Sequence, residues 1–155
     1  MEIVPIFYRQ GKRMVDLSAD FRLKDASIYE KWYQKHTAVD LLSEAVYGLP
    51  ELHRDKIRMA KIVGNPGCYP TAALIGLIPL VKKGLISLEG IVVDSKSGVS
   101  GAGRDVVLES LFCEVNEGVK AYKIFSHRHT PEIDQELSQL ARKEIKVTFV
   151  PHLIP

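Results

Sequence analysis

A chain of 155 residues has the length of one domain, and its 46% hydrophobic content is ordinary for a globule with a real core. Its 21 lysines and arginines against 19 acidic residues leave a formal charge of +2, which commits no face to nucleic acid or membrane and points to a small-molecule partner. Two cysteines exclude a disulfide framework; with no basic-then-apolar leader and no run near the roughly 20 apolar residues of a membrane span, the expectation is a soluble cytoplasmic protein with free thiols.

Glu2 to Leu17 reads as a short helix or turn followed by "RMVDLSADFRL", where Met14, Val15 and Leu17 predict a brief strand entering a polar loop. Ala26 to Lys35 has helical spacing, and "AVYGLPELHRDKI" carries turn punctuation before another helix. "AKIVGNPGCYP" is an apolar strand broken by Gly64, Pro66 and Gly67, and Thr71 to Lys83 predicts a helix that closes at Gly84. "GIVVDSKSGVSGAGRD" repeats the order of strand, glycine loop and helix, with the helix expected from Asp105 to about Cys113. "AYKIF" reads as a strand and "SHRHT" as a polar corner. A helix then runs from Thr130, as its cap, through Arg142, with Pro131 in its first turn. "IKVTFVPHL" closes the chain as a strand. The expected fold is one α+β domain over residues 1–155, a mixed β-sheet flanked by helices. Both ends look cut, so the chain is expected to be part of a longer protein.

Cys68 stands two residues before Pro70, a residue favoured in the first turn of a helix, so its sulfur is placed at a helix amino terminus. Amide N–H groups and the helix dipole stabilise a thiolate there, which makes Cys68 a candidate nucleophile. Gly64 and Gly67 permit a tight turn, and Asn65 offers a side-chain donor to an oxyanion. The same residues also suit a small buried cysteine beside a structural turn. Cys113, in an apolar run beside Phe112, is expected in the core.

A cysteine nucleophile works with a base, and "SHRHTPEI" supplies two histidines. An extended corner would set His127 and His129 on opposite sides, so one of them faces the site; His129, nearer the helix entrance, is preferred and His127 is the reserve. No metal is expected, because neither Cys-x-x-Cys nor His-Glu-x-x-His spacing occurs. Gly98, Gly101 and Gly103 read G-x-x-G-x-G rather than the dinucleotide fingerprint, so the loop with Ser97, Ser100 and Arg104 reads as a backbone nest for phosphate or carboxylate. In "DLSADFRL", Asp16, Ser18, Asp20 and Arg22 crowd one loop, where Arg22 has the fork to clamp a carboxylate.

Taken together, "DLSADFRL", "YGLPEL", "GNPGCYPT", "DSKSGVSGAGR", "HRHTPEI" and "PHLIP" resemble, in order, the N-acetyl-γ-glutamyl-phosphate reductases of arginine biosynthesis, relatives of aspartate-semialdehyde dehydrogenase. The resemblance spans nearly the whole chain. It implies a fold like the C-terminal catalytic and dimerisation domain of glyceraldehyde-3-phosphate dehydrogenase, with the NADP-binding Rossmann half missing. It implies that Cys68 attacks an acyl phosphate to form a thioester, which accepts hydride from NADPH, while His129 or His127 serves as acid and base. Arg22, Ser18, Asn65 and Arg104 would meet substrate, and Ser97, Gly98, Ser100 and Gly101 would meet the cofactor, whose main binding surface lies in the missing half. A homodimer or homotetramer is implied. Three alternatives stay open: a reductase of carrier-protein-linked glutamyl or aminoadipyl phosphate in lysine biosynthesis, an inactive substrate-binding and oligomerisation fragment, and a cysteine hydrolase.

Overall fold

In the computed structural model, which describes every residue except 104 and 105, two small sheets share the chain. The first is all parallel: β1 (Met14–Asp16), β2 (Ala45–Tyr47) and β3 (Ile62–Gly64) lie in the order β1-β3-β2. Asp16 and Tyr47 both pair with Gly64, so all three strands end level. The carboxyl ends of parallel strands are where α/β sheets build their sites, and here they launch the Asp16–Arg22 loop, the Gly48 turn and the turn before Cys68. Gly64 is obligatory in this row, since a Cβ there would stand 2.4 Å from the carbonyl oxygen of Phe21.

The second sheet is mixed. β4 (Val92–Gly98) runs parallel to β6 (Thr148–Ile154), and β5 (Lys120–Ala121) lies antiparallel on the other side of β6. One mixed sheet was expected; among the described residues there are two, one parallel and one mixed. The α+β class with a mixed sheet and flanking helices stands.

The six α-helices among the described residues follow from local chemistry. α1 is Ile3–Arg9, and α2 (Ala26–Trp32) is capped by Asp25, whose carboxylate accepts from the Ser27 and Ile28 amides. α3 (Pro50–Met59) and α6 (Thr130–Ala141) each carry proline in the first turn, and α5 (Phe112–Val115) is a single turn. α4 (Cys68–Lys82) ends at Gly84, whose φ of +62° lets the Leu85 amide bond back to the Leu80 carbonyl at 2.9 Å. α4 and α6 bury Leu74, Ile78, Ile133 and Leu137 against Val93 and Phe149 of the mixed sheet. A second cluster, with Phe21, Leu42 and Ile62, covers the parallel sheet.

Four local expectations change. Asp105, where a helix to Cys113 was expected to begin, lies outside the described residues; from Leu108 on, a 3-10 turn at Leu108–Ser110 and α5 stand in place of that helix. Cys113 is exposed, because only Val115 of that short helix is buried. The strand in "AYKIF" stops at Ala121, since Lys123 and Phe125 take φ values of +45° and +59° that no strand accommodates. Thr130 does not cap α6: His129 is the cap residue, and the Thr130 hydroxyl is buried without a partner.

Candidate active site

Cys68 is the first residue of α4 and is exposed, with Gly67 extended behind it at φ −65° and ψ 155°. The Gly67 carbonyl accepts from both the amide (3.0 Å) and the hydroxyl (2.8 Å) of Thr71, which fixes the first helical turn. Early amides of such a turn have no partner within the helix, so they face whatever lies at Cys68.

The imidazole of His129 lies against Gly67. A Cβ on that glycine would fall 2.5 Å from His129 Nε2 and 2.9 Å from Cδ2 and Cε1, so glycine is needed for the ring to sit one residue from the thiol. His127 is on the same side, not the opposite one: the two rings are 4.8 Å apart, and both stand edge-on to Tyr69, at 5.6 and 6.0 Å. The corner is a tight turn, closed by the Thr130 amide on the His127 carbonyl at 3.0 Å, and a turn returns residues two apart to one face. His127 Nδ1 accepts from the His129 amide at 3.1 Å, so His127 holds the backbone that presents His129. Behind it, Tyr122 Oη lies 3.5 Å from His127 Nε2 and donates to Tyr69 Oη at 3.2 Å, and Tyr69 donates to the His152 carbonyl at 3.2 Å.

Burial pulls both imidazoles well below the ordinary histidine value of 6.5. His129 falls to about 3, helped by His127, Arg22 and Arg128, and His127 to about 4, helped by Lys123 and Arg128. Both are neutral at pH 7, and the burial that keeps them so makes each a weaker proton acceptor than a free imidazole. Because folding favours the neutral rings, their stabilisation is complete above pH 6.5 and drains away as pH falls through 6.5 towards 4 and 3. Glu132, raised by burial, pulls the opposite way with pH. Comparing the native chain with His129→Asn separates the two: the variant is expected to lose less thermal stability between pH 7.5 and 5.0, measured by melting curves. Equal losses would remove the imidazole from the account.

Arg22 is buried and its guanidinium is committed within the protein. Nε donates to the Asn65 carbonyl at 2.6 Å, Nη2 to the Leu17 carbonyl at 3.1 Å, and Nη1 is 3.6 Å from Glu132 Oε2. It ties the loop after β1 to the turn before Cys68. Asn65 joins the same bracket, its amide donating to the Asp16 carbonyl at 2.8 Å while its side chain donates to the Pro66 carbonyl at 3.1 Å. Ser18 is exposed in a local turn, donating to Asp16 and accepting from the Asp20 amide. The structure therefore gathers Cys68, His127, His129, Asn65 and Arg22, with Ser18 outside the cluster.

Tyr69 also places the glycine loop. His152, whose carbonyl it holds, stands opposite Lys96 in the β4–β6 ladder, and Gly98 lies two residues farther along β4, about 7 Å away. Ser97 Oγ sits where a Cβ on Gly101 would be, at 2.6 Å, and it donates to the Gly98 carbonyl. Ser100 and Gly101 are exposed; Arg104 lies outside the described residues. Glu132, Tyr47, Tyr69 and Tyr122 were missed by the sequence reading. The one signal for Glu132 was a carboxylate beside Ile133, on the side of α6 that buries.

Residues 68–155, from the thiol to the end, match the family model described as semialdehyde dehydrogenase, dimerisation domain. This chain belongs to the semialdehyde dehydrogenase family. Residues 1–60 match the model described as semialdehyde dehydrogenase, NAD binding domain, so part of the nucleotide-binding half that the sequence reading expected to be missing lies within this chain. Curated relatives called N-acetyl-gamma-glutamyl-phosphate reductase are 57% identical over 155 residues in Syntrophobacter fumaroxidans and 60% identical over 156 residues in Geobacter metallireducens. Each match covers 100% of this chain and 45% of the relative, so the chain spans about half the length of the curated relatives it matches. Aspartate semialdehyde dehydrogenase II from Vibrio cholerae superposes with a TM-score of 0.67 at 16% identity, over 99% of this chain and 48% of that one, a likeness of fold. Among the described residues, no helix is long and apolar enough to cross a membrane.

Proposed function

We propose that this chain supplies the thiol and the acid–base imidazole of an NADP(H)-dependent reductase that converts N-acetyl-γ-glutamyl phosphate to N-acetyl-glutamate semialdehyde and phosphate. The observation that carries the reading is the exposed Cys68 at the first position of α4, with the neutral His129 ring packed on the residue before it. The names of the relatives support the substrate.

His129 accepts the thiol proton as Cys68 Sγ bonds to the γ-carbonyl carbon. Phosphate leaves with the electrons of its bond to that carbon, and a thioester remains. The amide of Cys68 at the helix start and the Asn65 side chain face the carbonyl oxygen; the Gly67 amide is already taken by Glu132. NADPH, when bound, supplies the hydride that reduces the thioester carbonyl. His129 protonates the oxygen of the resulting hemithioacetal and takes the proton back as the C–S bond breaks, releasing aldehyde and restoring Cys68.

The residues present fit the nicotinamide end of that cofactor. Gly98 and Gly101 expose backbone beside the hydroxyls of Ser97 and Ser100, which suits a flat carboxamide. They do not fit its pyrophosphate: the glycine turn between β3 and α4 is filled by His129 and Glu132. Arg22 and Asn65 are proposed to border the substrate, with the exposed Ser18 at its outer rim; Arg22 would act through Nη1, since Nε and Nη2 each already donate to a backbone carbonyl. We propose Arg104 as a further contact to the substrate. The reading makes residues 1–155 part of a longer, cytoplasmic, two-domain enzyme, and the match to a dimerisation domain supports a homo-oligomer.

Histidine variants of the full-length enzyme test the assignment, using phosphate-dependent oxidation of the semialdehyde with NADP. His129→Gln is expected to lower kcat by about 10²- to 10⁴-fold, the usual weight of a general base, and to abolish the acidic limb of the pH profile. His127→Gln, which removes a support, is expected to cost less. An unimpaired His129→Gln enzyme would refute the role given to that ring.

A further inference from the structure

We propose that Glu132 is a positioning residue for Cys68, working as a hydrogen-bond acceptor that grips the amide of Gly67 rather than as a charge. The inference rests on the reading of Cys68 as the nucleophile. Glu132 is 1% exposed, the third residue of α6, yet its side chain turns away from its own helix. One oxygen, Oε1, accepts from the Gly67 amide at 2.8 Å and from Tyr47 Oη at 2.7 Å. Three elements meet at that atom: the end of β2, the turn after β3 and the start of α6. The residue it grips is the one that precedes the thiol and supports the His129 ring, so a single acceptor sets both partners of the proposed reaction.

The second oxygen, Oε2, faces Arg22 Nη1 at 3.6 Å and makes no hydrogen bond. A carboxylate held for its charge would be placed in bidentate contact with that guanidinium, as strong Arg–carboxylate pairs are. Burial also raises the Glu132 carboxyl, against the opposing pulls of Arg22, the Gly67 amide and Tyr47. Both facts favour the acceptor role. They lead to an inverted order of conservative substitutions: glutamine keeps the carbonyl in place and loses the charge, whereas aspartate keeps the charge and withdraws the acceptor by one methylene.

The experiment reads the alkylation rate of Cys68 by iodoacetamide in the full-length enzyme, followed by mass spectrometry of the peptide that carries Cys68 so that other thiols do not contribute. The thiolate is the species that alkylates, and it depends on how the turn aims amides at the sulfur. Glu132→Asp and Glu132→Ala are expected to slow alkylation about tenfold, the weight of one buried hydrogen bond, while Glu132→Gln restores the rate to within about threefold. An aspartate variant as fast as the parent, or a glutamine variant as slow as aspartate, overturns the proposal. If a variant does not fold, hydrogen exchange at the Gly67 amide of the unaltered enzyme decides: strong protection supports the grip, and rapid exchange overturns it. Full reductase activity in Cys68→Ser would end the functional reading and leave this order of rates untouched, so the two failures are distinguishable.

Discussion

Cys68→Ser is expected to eliminate phosphate-dependent oxidation of the semialdehyde by the full-length enzyme while leaving its fold and its melting temperature nearly unchanged. Serine differs from cysteine by one atom, and position 68 is exposed at the start of α4, so no core contact is lost. The reactivity differs far more than the volume. A thiol is far more acidic than a hydroxyl, and the proposed base, His129, packs on the residue before it. The expected loss in kcat is about 10³-fold or greater, with little change in substrate affinity, the signature of a group that acts after binding. Steady-state kinetics beside a thermal melt would check it. A serine variant retaining a tenth of the activity would exclude the thioester.

Gly67→Ala is the second large effect, and it separates geometry from chemistry. Gly67 adopts φ −65° and ψ 155°, an ordinary conformation for any residue, so backbone strain contributes nothing. The cost is steric: the added carbon would lie 2.5 Å from His129 Nε2. His129 cannot simply swing aside, because its amide is held by His127 and its ring abuts those of Tyr69 and His127. Overpacking of this kind costs about 1–3 kcal/mol, which lowers the melting temperature without unfolding the chain. The displaced base should cost about 10²-fold in kcat, the penalty for an offset of about 1 Å. Cys68 should still alkylate, because its turn keeps the grip of Glu132. Normal turnover in Gly67→Ala would place the base elsewhere.

Strands β1 and β3, helix α4 and the thiol at its start were legible in the sequence because each has a local signal, whereas β2 (Ala45–Tyr47) was read as part of a turn. Met14–Asp16 and Ile62–Gly64 are short apolar runs bounded by turn residues, and Gly67, Pro70 and Gly84 mark where a helix starts and stops. The order of the motifs also pointed to the family that the comparison with residues 68–155 shows. The segment from Val99 to Phe125 was misread where apolar content was taken for structure. Phe112 and Val106 are 79% and 88% exposed, and such a run forms a regular element only when something lies beside it to be packed against.

The pair of histidines shows the limit most directly. Their spacing in "HRH" is compatible with opposite faces of an extended chain or one face of a turn, and the choice is made by Tyr69 and Phe149, which come from other elements and surround His127 at 5.6 and 5.2 Å. Glu132 and Tyr47 lie 85 positions apart, so no local pattern connects them.

What the sequence determined by itself was the inventory and the punctuation: which residue is the thiol, that it opens a helix, and which loops hold glycine, histidine and arginine. These follow from backbone preferences that act within a few residues. Tertiary structure alone decided which histidine touches the turn, that Arg22 is spent on carbonyls, and that a buried carboxylate on α6 grips the residue before the thiol. Those outcomes depend on burial and on donors matched to acceptors across distant segments, quantities that exist only after the chain has closed on itself.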